Sequence, residues 1–196
     1  KGSLSKRVAA HFSLPYLNTG ALYRLVALRI MNQKIDPHHF ENHIPTLVSD
    51  ISESDLEPEE LFSENVGAVA SLVAKNITLR SALFDFQKNF VKKDKRGCVM
   101  DGRDTTTVIC PDADYKFFIT ADVDIRAQRR FDQLTKKGDN VSYDEILTQL
   151  KKRDENDANR AESPLKIAAD AVVIDNGQLS IDECFKKALH YIADKS

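Results

Sequence analysis

No stretch of the 196-residue chain approaches the ~18 consecutive apolar residues of a membrane-spanning helix, and no signal-peptide pattern is present. Cysteine is scarce. Cys98, Cys110 and Cys184 are odd in number, lack CxxC spacing and sit in apolar contexts. That usage predicts reduced packing residues in a cytoplasmic protein and argues against a metal site built from them. Seven glycines and six prolines leave no flexible linker, repeat or low-complexity tract. The formal net charge is only −2, so the overall balance points to neither nucleic acid nor an anionic membrane. Any anion site must come from local clustering. A hydrophobic content of 42% is enough for one full core, and a single domain is expected over residues 1–196.

The sequence starts at Lys1 with neither an initiator Met nor an apolar strand ahead of its first helical pattern, so an upstream segment is expected. Leu4 to Phe12 has helical character ending before Pro15. Leu14 to Leu17 reads as a strand leading to Asn18 and Thr19, both good N-cap types. Leu22, Val26 and Ile30, with Leu25 alongside, then form a buried helical stripe, and Gly20 and Arg24 lie on a different one. Residues 36 to 60 carry three of the five histidines, three prolines and many acids with little periodicity, which predicts an inserted, mobile segment. Phe62, Val66, Val69 and Val73, then Leu79, Leu83, Phe86 and Phe90 after a break near Asn76, predict two core-facing helices. Their other faces carry Ser71 and Arg80. Strands follow at Cys98 and over Tyr115 to Thr120, and a helix over Val123 to Lys137 closes at Gly138. A further helix begins near Tyr143, a strand runs from Ala171 to Ile174, and Ser180 with Glu183 forms a capping box on the last helix. Strands alternating with helices indicate an α/β fold with a largely parallel sheet.

The apolar run from Cys98 stops abruptly at Asp101, Gly102, Arg103 and Asp104. Open α/β sheets bind ligands just beyond the carboxyl ends of their strands. Two carboxylates and a guanidinium therefore stand at a binding edge or, on the plainer reading, form a loop with a surface ion pair. The helix from Tyr143 turns charged along its own stripe, where Ile146 and Leu150 give way to Arg153, Asp157 and Arg160. Either Arg153 and Asp157 make a surface pair contributing about 0.2–0.5 kcal/mol, or the helix projects them into a polar cleft, where guanidinium forks match phosphate oxygens. Lys1, Gly2 and Ser3 imperfectly match the close of a phosphate-loop motif. In that motif helix N-terminal amides hold phosphate, the lysine reaches the β and γ oxygens, and the hydroxyl helps place Mg²⁺.

Taken in order, Lys1-Gly2-Ser3, Leu17 through Arg24, Asp101-Gly102-Arg103-Asp104 with Pro111-Asp112-Ala113, Arg126 through Arg130, and Arg153-Asp154 through Asn159-Arg160 resemble the bacterial cytidylate kinase family over nearly the whole chain. The resemblance implies a three-layer P-loop kinase fold with a mostly parallel central sheet, a nucleotide-binding insertion at residues 34–76 and a helical lid at 135–160. It implies transfer of the γ-phosphoryl group of ATP to CMP or dCMP with Mg²⁺, by a cytoplasmic monomer. On the matching positions, Thr19, Arg24, Arg103 and Arg160 would receive the CMP phosphate, with Tyr23 beside them. Ser71, Arg80 and Asp104 would read cytosine, and Arg153 and Asp157 would reach ribose and phosphate from the lid. Lys1, Gly2 and Ser3 would hold ATP phosphates, Arg129 would lie near adenine, and Ser3 and Asp101 would stand in the Mg²⁺ environment. Lys1, Arg103, Arg153 and Arg160 would be the catalytic cations.

The sequence departs from the family pattern in three places. No strand and glycine loop precede Lys1, Thr105 and Thr106 replace an apolar residue and a glycine, and the stretch near Ser52 to Leu56 is short. Thr106 would be strained at any positive φ. The alternatives are a kinase for another monophosphate or a non-catalytic nucleotide-binding module. Arginines gathered from separate segments repel when no nucleotide lies among them, so an open lid is expected.

Overall fold

The computed structural model describes residues 1–159 and 163–195; Arg160 lies outside them. Helix α1 (Gly2–Phe12) leads to strand β1 (Tyr16–Asn18), and α2 (Thr19–Asn32) follows without a loop. Three short 3-10 turns and the four-residue α3 (Ile44–Leu47) precede α4 (Glu64–Val73) and α5 (Ile77–Val91). Strand β2 (Val99–Asp101), β3 (Phe117–Thr120), α6 (Val123–Lys136), α7 (Tyr143–Asn159), β4 (Val172–Asp175) and α8 (Ile181–Lys195) complete the chain. Among the described residues no helix is long and apolar enough to cross a membrane.

Every strand pairing is parallel, as the alternation of strands and helices requires. β1 pairs with β2 and β3 with β4, so the described residues form two parallel pairs. Because β1 and β2 run in the same direction with Asn18 opposite Asp101, both chains leave the sheet at one edge. That register brings the start of α2 beside the Asp101–Asp104 turn.

The apolar stripe of α2 enters the main core. Leu22, Val26 and Ile30 meet Val73 from α4 and Leu79 and Leu83 from α5. Phe40, Ile44 and Leu47 pack into the same cluster, so part of the segment expected to be mobile is anchored. They recur at spacings of 4 and 3, a helical period too brief to stand out among the proline and polar residues around it, and only Ile44 and Leu47 share a helix, the four-residue α3. The Arg29 guanidinium secures the segment further, donating to the carbonyls of Leu47 at 2.8 Å and Ser49 at 2.9 Å.

Helix boundaries follow their caps. Ser63 accepts from the Val66 amide and starts α4, so Phe62, the first residue of the expected stripe, precedes the helix in the 3-10 turn Glu59–Phe62. The Asn76 side chain accepts from the Leu79 amide at 2.9 Å and starts α5. Gly138, at φ +89°, closes α6. Ser180 and Glu183 exchange the hydrogen bonds of a capping box on α8. Thr105–Ile109 forms a π-helical turn, and Thr106 is not among the positive-φ residues, so the strain considered for it does not arise.

Leu79 is fully buried where α5 meets α2. Leu79→Ala is expected to cost about 2–5 kcal/mol and to lower the urea midpoint without changing the slope. A loss below about 1 kcal/mol would mean that this interface closes over the gap.

Candidate active site

The cleft is built at the shared edge of β1 and β2. Thr19, the first residue of α2, donates its hydroxyl to the Asp101 carbonyl at 3.1 Å, joining the two strand ends. A side chain on Gly102 would overlap that hydroxyl, so glycine is needed where the two turns touch. The buried Asp101 carboxylate accepts from the Tyr16 hydroxyl at 2.5 Å and from the Lys1 ammonium. Burial lowers the pKa of Lys1 below the ordinary lysine value, assisted by the charges of Arg103 and Arg153 and opposed by Asp101.

One wall is formed by α4, α5 and the turn after β2. Arg80 and Asp104 make an ion pair with little exposure of either side chain. Arg80 also donates to the Ala74 carbonyl at 3.2 Å and stands 5.5 Å over the Tyr23 ring. Beside this pair the Ser71 hydroxyl is buried and has no hydrogen-bond partner among the described residues. A buried unpaired hydroxyl carries a desolvation cost of about 1–3 kcal/mol that only an incoming polar group would offset.

Further guanidinium groups line the same cleft. Arg24 donates to the carbonyls of Leu61 at 2.7 Å and Ser63 at 3.2 Å. Burial and the neighbouring charges of Arg153, Arg130 and Arg103 lower its pKa to about 10, while Glu64 acts in the other direction; it remains a cation at neutral pH. Arg103 donates to Asp157 at 2.6 Å. Arg153 shares the cleft with both. Burial lowers its pKa too, with Arg103 adding to the effect against Asp157, Asp154 and Glu64.

The inward stripe of α7 is therefore real, since Arg153 and Asp157 line the cleft and do not form an exposed pair. The open lid expected from repulsion is not what the described residues show. Asp157 neutralises Arg103, Asp154 takes both ends of Arg126, Glu64 takes Arg130, and Lys75 donates to Asn156 at 2.8 Å across from α4 to α7. Carboxylates placed between the arginines reduce the repulsion enough for the segments to meet.

Of the residues singled out from sequence, Lys1, Thr19, Tyr23, Arg24, Ser71, Arg80, Arg103, Asp104, Arg153 and Asp157 line one cleft. Gly2 adjoins it, since a side chain there would contact Asp101 at 3.4 Å. Ser3 is exposed on the first turn of α1. Arg129 lies apart, donating to the carbonyls of Asn176 at 2.7 Å and Gly177 at 3.0 Å after β4. Two further residues matter that periodicity did not single out, Tyr16 beneath Asp101 and Gly67 beneath Arg24. Gly67, Ala70, Ser71 and Ala74 form a run of small residues at helical spacing on the face of α4 that meets the cleft, a signal the sequence does carry.

The family model described as cytidylate kinase matches residues 1–194. The chain belongs to the cytidylate kinase family. It is 41% identical over 192 residues to the cytidylate kinase of Bartonella tribocorum, covering 98% of this chain and 88% of that protein. It is 42% identical over 190 residues to that of Azorhizobium caulinodans, covering 96% and 90%, and 36% identical over 199 residues to that of Rhodospirillum rubrum, covering 100% and 93%.

A cytidylate kinase family cleft crowded with like charge pays in stability for what it binds. Arg153→Met keeps the length of the side chain and removes one buried charge. It is expected to raise the melting temperature of the nucleotide-free protein by about 1–3 °C while abolishing turnover. A lower melting temperature would show that Arg153 is held by its carboxylates more strongly than it is repelled.

Proposed function

We propose that this protein phosphorylates CMP or dCMP in the cytoplasm as a monomer, passing the γ-phosphoryl group of ATP to the acceptor phosphate to give CDP or dCDP and ADP. The observation that carries the reading is the Ser71 hydroxyl, unpartnered among the described residues, which lines an arginine-rich cleft together with the Arg80–Asp104 pair. Cytosine offers an amino donor beside two acceptors. Asp104 accepts from the amine, Arg80 donates to N3 or O2, and Ser71 gains the partner it lacks. Uracil reverses the donor and acceptor at two of these positions, and a buried mismatch is costly.

The acceptor phosphate takes the fork of Arg24, with Arg103 and the Thr19 hydroxyl at its other oxygens. Phosphoryl transfer passes through a loose transition state with charge spread over the moving oxygens, so catalysis is positioning and charge stabilisation. Lys1 and Arg153 supply that charge, with Arg160 from the lid. Residues 34–76 form the monophosphate-binding region and residues 135–160 the lid in this reading.

Mg²⁺ commonly takes one or two protein carboxylates and completes its shell with water and substrate phosphates. Among the described residues no group of three or more acidic, histidine or cysteine side chains could hold a metal, whereas Asp101 offers a single buried carboxylate close to Lys1. That donor set fits a cation brought in with ATP. Asp101 and the Ser3 hydroxyl would hold it, and it would neutralise phosphate charge.

A coupled assay of ATP consumption with CMP, dCMP, UMP and AMP tests the reading. Fast turnover is expected with the cytosine nucleotides alone, and equal rates with UMP would refute the base assignment. Asp104→Ala is expected to narrow the preference for CMP over UMP. Ser71→Ala should raise KM for CMP about tenfold and leave the melting temperature unchanged or higher, because the lost hydroxyl has no partner among the described residues.

A further inference from the structure

Gly67 stands inside α4, where its backbone makes no demand for glycine. The positive-φ glycines are Gly97 and Gly138, and the Gly67 amide donates to the Ser63 carbonyl at 3.0 Å as a regular helical turn does. Glycine is the poorest helix former after proline, so an alanine here would favour the helix. What the glycine provides is space. A Cβ at this position would stand 2.9 and 3.2 Å from the two Nη atoms of Arg24 and 3.3 Å from its Cζ.

The Arg24 guanidinium is not loose enough to yield freely. It donates to the carbonyls of Leu61 and Ser63, lies 5.6 Å over the Phe62 ring and is repelled by the charges of Arg153, Arg130 and Arg103. A side chain on Gly67 would have to push it away from these carbonyls and toward like charge.

We infer that Gly67 is a positioning residue for the phosphate acceptor: by lacking a side chain, it lets the Arg24 fork lie against α4, and the helix is less stable as a result. This rests on Arg24 as a ligand of the CMP phosphate. The three atoms nearest to a Cβ at Gly67 all belong to Arg24, so its effect on the acceptor passes through that side chain.

A double-substitution cycle tests the inference, with CMP affinity read by titration calorimetry and stability by thermal melting. Gly67→Ala is expected to weaken CMP binding about tenfold. KM for ATP should stay within about twofold. In an Arg24→Ala background the same glycine substitution should change CMP binding no further and raise the melting temperature by a few degrees. Unchanged CMP affinity in Gly67→Ala would overturn the inference, as would an equal loss in the Arg24→Ala background. A fall in melting temperature in that background would overturn it too, by making the glycine a packing requirement independent of Arg24. If Arg24→Ala alone leaves CMP binding intact, the reading of Arg24 fails and the inference falls with it.

Discussion

Mutual repulsion among cations drawn into one cleft is the constraint on which the rest of the site depends. Lys1, Arg24, Arg80, Arg103 and Arg153 come from five separate places in the sequence and line the same space. Such an assembly persists because negative groups are interleaved with it. Asp101 meets Lys1, Asp104 meets Arg80 and Asp157 meets Arg103, while Arg24 is held by two backbone carbonyls. The carboxylates thus make this gathering of cations tolerable and, on the proposed function, yield it to phosphate when the nucleotide binds. Arg24 and Arg153 have the least direct compensation, and both have their charge disfavoured by burial and by neighbouring arginines.

The fold supplies this arrangement through a few local decisions. Parallel pairing of β1 with β2 aligns Asn18 with Asp101, and the absence of any loop before α2 puts Thr19 and Arg24 at that edge. Two caps, Ser63 and Asn76, set where α4 and α5 begin and hence where Gly67, Ser71 and Arg80 fall around the cleft. Gly102 allows the two turns to touch, and Gly67 allows Arg24 to lie against α4. Packing of Leu22, Val26 and Ile30 against α4 and α5 then fixes the walls.

Much of this was legible in the sequence. The stop at Asp101 to Asp104 marked the edge correctly, and the stripe through Ile146 and Leu150 correctly carried Arg153 and Asp157 inward, because periodicity reports which side of a helix faces the protein. Partnerships were harder. Arg103 with Asp157 and Arg80 with Asp104 join residues 54 and 24 positions apart, and nothing local encodes such pairs. The anchoring of Phe40, Ile44 and Leu47 was present in their spacing of 4 and 3, although the helix it marks is only four residues long. The absence of local encoding for distant pairs also hid the closed disposition of α7, since counting arginines predicts repulsion unless the interposed carboxylates are placed. Arg129, which the resemblance places near adenine, is engaged by the turn after β4.

The claim that a charge-balanced cleft with a base-reading wall awaits a cytosine nucleotide is tested most directly by ligand-dependent melting of the unaltered protein. CMP, UMP and cytidine would be compared at one concentration without ATP, since a ligand that binds only the folded chain raises its melting temperature in proportion to its affinity. The account predicts a clear upward shift with CMP, a much smaller one with UMP and almost none with cytidine, which lacks the phosphate. Equal shifts with CMP and UMP, or with CMP and cytidine, would contradict it.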